Sequence, residues 1–94
     1  MKQIDKERLY KKVIDHWGEE LQFGMLTEEV GELFQAINRY RRGRTTNTDN
    51  IAEEIADVRL MLEQMEFMFN ITNSDEWYEK KLEKLKGQIK RGEK

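Results

Sequence analysis

The chain has 94 residues, of which 38% are charged, and a formal net charge of −2 at pH 7. It has no cysteine and one histidine, which excludes disulfide frameworks, thiolate zinc sites, iron–sulfur clusters and sites built from several histidines. The amino-terminal residues are too charged for a signal peptide, no apolar run is long enough to span a membrane, and a pI of about 5.5 does not favour nucleic-acid binding. We therefore expect a cytoplasmic protein whose chemistry depends on carboxylates.

The composition predicts an all-α fold, with residues 1–94 forming one domain. Good helix formers dominate, proline is absent, and no segment alternates as a strand would. Only 37% of the residues are apolar, against roughly 45–50% in ordinary globular domains, so the core of a single chain would be thin. We expect an antiparallel bundle of about four helices that is completed by homo-oligomerisation.

In chain order, helices are predicted at about Lys6–Trp17, Met25–Arg42, Asn50–Asn70 and Asp75–Arg91. A weak break lies near Gly18 or Gly24, and Thr27 is a possible N-cap if the second helix starts later. The clearest break is the turn-forming segment from Arg41 to Asn50. Before the fourth helix, Ser74 or Asp75 is the predicted N-cap.

Acidic and basic residues are segregated along the chain. The segment Asp15–Glu76 contains fourteen acids and five bases, and Lys80–Lys94 contains seven bases and two acids. Four of the bases in the acidic segment are gathered around the first turn: Arg39, Arg41, Arg42 and Arg44. These arginines fit a role at the carboxyl end of the second helix, and most of the lysines fit a solvated helix face. The alternative is that two basic arms meet a polyanion held by the acidic middle.

Two acidic pairs carry the strongest signal. Glu29 and Glu32 lie on the second helix, and Glu54 and Asp57 lie on the third. A spacing of three places both carboxylates of a pair on one side of a helix. On a helical projection, Glu54 falls well within the apolar arc of its helix and Glu29 falls inside the margin of its own. Glu32 and Asp57 fall just outside, so both helices direct acids towards the predicted core.

The apolar arcs on which this projection depends are large. On the second helix the arc comprises Leu26, Val30, Leu33, Ile37 and Tyr40, and on the third Ile55, Val58, Met61, Leu62, Met65, Met68 and Phe69. Carboxylates at the edge of such a core must be paired, protonated or bound to cations. Hard divalent cations take oxygen ligands, and Mg²⁺ suits a site that also binds phosphate oxygens. The alternatives are salt bridges with Arg39 or Arg59, or acids on the surface.

The segments TEEVGELFQAI and EEIADVRLMLEQM resemble the MazG-like all-α nucleoside triphosphate pyrophosphohydrolases. They match the EExxE and ExxD motifs of that superfamily, and the resemblance extends from about Val13 to Ile89. The flanking segments HWGEELQFGML and EWYEKKLEKLKGQI also look like those of the short single-domain members of phage and Firmicute type. The resemblance implies a helical bundle that associates as a dimer or a dimer of dimers. It also implies hydrolysis of (d)NTPs to the monophosphate and pyrophosphate.

The same resemblance implies that Mg²⁺, with Mn²⁺ as a possible substitute, is bound by Glu29, Glu32, Glu54 and Asp57. Glu28 completes the first motif as a supporting group. Metal ions activate water and neutralise phosphate charge, so no protein nucleophile is needed and His16 is not required. Glu29 is the candidate for orienting or deprotonating the attacking water.

Four further residues are candidates for substrate binding. Trp17 could stack on a base, although packing in the core is the more common state of such a residue. Gln22 could contact a base edge, and a surface amide is the alternative. Lys81 and Arg91 on the fourth helix match, loosely, the phosphate-binding bases of relatives.

We therefore expect a Mg²⁺-dependent hydrolase of nucleoside triphosphates with a house-cleaning or nucleotide-pool role. A second hypothesis is a non-enzymatic oligomeric helical module in which the acids and bases form intersubunit salt bridges. A third is a nucleic-acid-associated bundle that uses the basic face of Lys80–Lys94. The first hypothesis requires the four acids to converge within a few ångströms, whereas under the second they would be splayed apart or paired with arginines.

Overall fold

The computed structural model describes residues 1–93 as four helices, with no strand in that range. The helices are α1 Gln3–Trp17, α2 Glu19–Arg41, α3 Asp49–Met68 and α4 Ser74–Lys90. The predicted all-α class and the number of helices are therefore confirmed. None of these helices is long and apolar enough to cross a membrane. Lys94, the last base of the predicted basic stretch, lies outside the described residues.

The break between α1 and α2 lies at Gly18, where a φ of 84° favours glycine. Gly24 lies within α2, so the prediction that this helix starts at about Met25 is wrong. A glycine inside a helix costs about 1 kcal/mol relative to alanine, which a long helix with one packed face tolerates. Thr27 is consequently not a cap, and its hydroxyl donates a hydrogen bond to the carbonyl of Phe23 at 3.2 Å.

The other helix ends are close to their predicted positions. A loop over residues 42–48 joins α2 to α3, as the turn-forming composition predicts. At the start of α4 neither predicted N-cap is correct, because Asn73 is the cap residue. The hydroxyl of Ser74 instead donates a hydrogen bond to the carboxylate of Glu66, which ties the start of α4 to the end of α3.

The two long helices α2 and α3 pack along each other, and α1 contacts both. Their orientation is antiparallel, since Phe23 near the start of α2 stacks on Phe69 just after α3 at 5.9 Å between ring centroids. Tyr10 anchors α1, because its buried hydroxyl donates to Glu63 at 3.1 Å and its ring meets Phe67 edge to face. This packing sets the middle of α2 beside the first half of α3.

The buried faces of α2 and α3 are narrower than the projection predicts. The buried apolar side chains are Tyr10, Ala36, Met61 and Met65. The remaining large members of the predicted arcs include exposed residues, namely Ile37, Tyr40, Ile55, Leu62 and Phe69. Each long helix has one extensive neighbour in a single chain, so the flanks of its apolar face remain open to solvent.

Helix α4 extends from the rest of the fold and makes no extensive contact with α1, α2 or α3. The radius of gyration is 16.6 Å, compared with about 12 Å for a compact domain of this length. The projecting helix and the exposed flanks together explain this difference.

Candidate metal centre

The facing sides of α2 and α3 bring the predicted acids together. Glu29, Glu54 and Asp57 each offer a carboxylate oxygen, and these oxygens lie within 4.8 Å of one another. Glu32 is not part of this set of three, but its negative charge is close enough to raise the pKa of both Glu29 and Glu54. Because the helices are antiparallel, a pair from the middle of α2 meets a pair from the first half of α3. The four acids therefore form one cluster, which we call the acidic cluster.

The acidic cluster lacks a counter-charge within residues 1–93. All four side chains are half-buried, and the Oε2 atoms of Glu29 and Glu54 are buried without a hydrogen-bond partner. None of the four carboxylates forms an ion pair with a lysine or arginine of that range. A buried charged oxygen without a partner is costly, so the arrangement requires protons or cations.

The surroundings of these carboxylates raise their affinity for protons. Burial, followed by the negative charges of Glu32, Asp57 and Glu54, raises the pKa of Glu29 to about 6. Burial, followed by the charges of Glu32 and Asp57, also raises the pKa of Glu54. Both shifts have the direction expected where several carboxylates share one partly dry site. A divalent cation would supply the missing positive charge, and an all-oxygen ligand set fits Mg²⁺ or Mn²⁺.

The predicted salt-bridge alternative does not occur in the described part of the chain. Arg59 pairs with Glu63 at 3.6 Å, one turn further along α3. Arg39 forms no ion pair with any acid of residues 1–93. Arg59 is therefore occupied by Glu63, and Arg39 does not neutralise any of the four acids.

The candidate base-contacting residues occupy different environments. Trp17, at the end of α1, is 53% exposed, so it is not the core residue of the more common interpretation. Its ring packs edge to face with that of His16, at 5.1 Å between ring centroids, and still leaves a surface for stacking. Gln22 is only 1% exposed, so the surface-amide interpretation is wrong. Its Nε2 lies 3.8 Å from the sulfur of Met25, and its Oε1 has no partner.

The candidate phosphate-binding bases do not meet the acidic cluster within one chain. Lys81 lies on α4 and Arg91 follows it, and both are exposed. The guanidinium of Arg91 pairs with Glu93 at 2.9 Å. Because α4 is not packed along α2 and α3, a single chain leaves these bases away from the acids.

A groove of about 450 Å³ lies beside the acidic cluster, and the sequence did not predict it. Asp57 lies at its edge, and α1 contributes Lys6 and Tyr10 to its wall. Small side chains of α3, Ala52 and Ala56, leave room for it. The four-residue spacing of Lys6 and Tyr10 shows that they share a face of α1, but nothing in the sequence links that face to Asp57.

Comparison with known protein families gives one match for this helical core. A family model described as the MazG nucleotide pyrophosphohydrolase domain matches residues 18–87. The matched region contains α2, α3 and most of α4, and it includes all four members of the acidic cluster. No curated protein and no solved structure matches the chain.

Proposed function

Because the chain belongs to the MazG nucleotide pyrophosphohydrolase domain family, we propose that it hydrolyses nucleoside triphosphates to nucleoside monophosphates and pyrophosphate. The supporting observation is the acidic cluster, in which three carboxylate oxygens from two helices lie within 4.8 Å. We propose that this cluster binds Mg²⁺, with Mn²⁺ as a substitute. When bound, the ion activates water and neutralises phosphate charge. The proposed cellular role is control or cleaning of the nucleotide pool.

The four acids have distinct proposed roles. Glu32, Glu54 and Asp57 hold the cation, and Glu29 both contacts it and orients or deprotonates the attacking water. The Glu29 carboxylate has an oxygen within 4.8 Å of those of Glu54 and Asp57, so it is placed to contact both the cation and a water beside it. Glu28 is exposed on the outer side of α2, where it supports the motif without entering the cluster.

Substrate contacts are proposed on both sides of the acidic cluster. The groove beside Asp57 offers space for part of the nucleotide, and Trp17 offers an exposed ring for base stacking. Gln22 contributes to base recognition only if its amide becomes accessible, since it is buried in the single chain. Lys81 and Arg91 are proposed to hold phosphates when a second chain brings α4 to the cluster.

Self-association is the structural part of the proposal. Helix α4 exposes Tyr78, Leu82, Leu85 and Ile89, which recur at intervals of four, three and four residues along one face. A monomer would leave this apolar face and the flanks of α2 and α3 in water. A dimer or tetramer would bury them and place α4 of one chain near the acids of another.

The direct test is a panel of ribo- and deoxyribonucleoside triphosphates incubated with Mg²⁺. The expected products are pyrophosphate and the nucleoside monophosphate in equal amounts. Replacing Mg²⁺ with chelator should stop the reaction. Release of single phosphates from the terminal position, or no turnover of any nucleotide, would contradict the proposal.

A further inference from the structure

The end of α2 and the following loop form a second hollow, of about 280 Å³, which we call the arginine hollow. It is lined by Gln35, Asn38, Arg39, Arg42 and Arg44. Every one of these side chains carries N–H donors, and none is acidic. The neighbouring Arg41 does not line the hollow, although it belongs to the same arginine-rich segment.

The three guanidinium groups of the arginine hollow have no protein partner in residues 1–93. None lies within salt-bridge distance of a carboxylate. None donates a hydrogen bond to another protein group of that range. Three like charges gathered without a counter-charge repel one another unless an anion lies between them.

Capping of α2 does not occupy these side chains. Backbone N–H groups already donate to the last carbonyl groups of the helix. The N–H of Arg42 donates to the carbonyl of Asn38 at 3.0 Å, and the N–H of Arg44 donates to the carbonyl of Arg39 at 2.9 Å. The carboxyl end of a helix carries a partial negative charge of about half an elementary charge, so less than one arginine is enough to balance it. Interaction with the carboxyl end of α2, as predicted from the sequence, therefore accounts for the location of the arginines but not for their number.

The position of the arginine hollow relates it to the acidic cluster. Arg39 follows Glu32 by seven residues, which corresponds to about 10 Å along the helix axis and about 20° around it. Both side chains therefore project from nearly the same face of α2. Linked phosphates that start at the acids, together with an extended arginine side chain, are long enough to cover these two helical turns.

We infer that the arginine hollow binds the terminal phosphates of a nucleoside triphosphate and the pyrophosphate that leaves. The inference rests on the proposed function for the identity of its ligand. Guanidinium groups match phosphate oxygens with paired N–H donors, and Gln35 and Asn38 add neutral donors beside them. Such a site selects triphosphates over monophosphates, because a monophosphate carries no group that reaches it.

The test is calorimetric titration of the metal-free protein with inorganic pyrophosphate. The double variant Arg39→Gln/Arg42→Gln should weaken binding by at least about tenfold, the scale of one lost charge-assisted hydrogen bond. Arg41→Gln removes the same kind of charge from the same segment and should bind as the wild type does. Arg39→Lys keeps the charge without the fork and should fall between them, and all variants should melt like the wild type.

This titration does not depend on turnover, so it separates the inference from the proposed function. The inference is overturned if the wild type does not bind pyrophosphate, or if the double variant binds it as tightly as Arg41→Gln. It is also overturned if the double variant loses affinity for a single-stranded oligonucleotide while its affinity for pyrophosphate is unchanged. A parallel rise in the KM for nucleoside triphosphates would support it further.

Discussion

Glu54 combines a position that is unfavourable for folding with a proposed role in binding metal. It lies half-buried on α3, and its Oε2 has no hydrogen-bond partner. Its closest charged neighbours are acids, which raise its pKa further beyond the effect of burial. A residue kept only for stability would not be a glutamate here, since an unpaired buried acid destabilises a fold.

We expect Glu54→Gln to lower Mg²⁺-dependent turnover by about 100-fold or more, the order of losing one charge-stabilising group in an active site. The metal-free variant should be as stable as the wild type or more stable, because glutamine keeps the shape and loses the repulsion. Turnover is measured by pyrophosphate release, and stability by thermal melting. Glu53→Gln is the matched control, since Glu53 is exposed and lies one residue away. This substitution should leave turnover and stability almost unchanged. If Glu54→Gln remains active, or if Glu53→Gln is inactive, the site has been assigned to the wrong face of α3.

Glu29 predicts a pH dependence with a defined sign. Its pKa is about 6 in the folded protein and 4.5 ordinarily, so the folded state binds this proton more tightly than the unfolded state. Its contribution to stability is therefore fully present below about pH 4.5 and is lost as the pH rises through about 6. The melting temperature of the metal-free protein, measured relative to Glu29→Gln, should be higher at pH 5 than at pH 7. An equal or reversed difference would show that Glu29 does not share the acidic cluster.

Helix α4 is the element that a single chain leaves incomplete. Its apolar residues lie on one face, yet Leu85 is 56% and Ile89 is 74% exposed. Within the helix, Lys80 lies over the ring of Trp77 at 4.7 Å, which is a local contact and does not cover the apolar face. The amphipathic pattern is typical of a helix that packs against a partner.

We expect Leu82→Gln to weaken self-association, because it places a polar group on the apolar face of α4. Sedimentation velocity at micromolar concentration should show a shift from dimer or tetramer towards monomer. Lys84→Gln makes a substitution of similar size off that face and should leave the sedimentation unchanged. A wild type that is already a stable monomer at this concentration would remove the proposed role of α4.

At the scale of the whole molecule, the metal and the fold should be coupled. A cation that binds the folded acidic cluster and not the unfolded chain stabilises the protein by about 2.7 kcal/mol at 100 times its Kd. For a domain of this size, each kcal/mol corresponds to a rise of roughly 4–8 °C in melting temperature. We therefore expect Mg²⁺ or Mn²⁺ at 100 times its Kd to raise the Tm by roughly 11–22 °C, as measured by thermal melting. Glu54→Gln should lose most of this rise, and an unchanged wild-type Tm would argue against the metal centre.

Much of the fold and of the candidate site was predictable from local patterns. The absence of proline, the abundance of helix formers and the turn residues after α2 determine four helices and most of their ends, because these preferences act within a few residues. The spacing of Glu29 and Glu32, and of Glu54 and Asp57, likewise places each pair on one helix side. The start of α2 was not predictable, since Gly18 and Gly24 are equal as residues and only the backbone at Gly18 adopts a left-handed φ.

The tertiary structure alone decided which faces are covered and which side chains meet. Antiparallel packing brings Glu29 to Glu54 and Asp57, buries Gln22, and leaves Trp17 exposed. It also brings Lys6 and Tyr10 into the wall of the same groove as Asp57, although about fifty positions separate them and no periodicity encodes this arrangement. The physical reason is that helix propensity and spacing are properties of one segment, whereas burial and counter-charge depend on which segment packs against it.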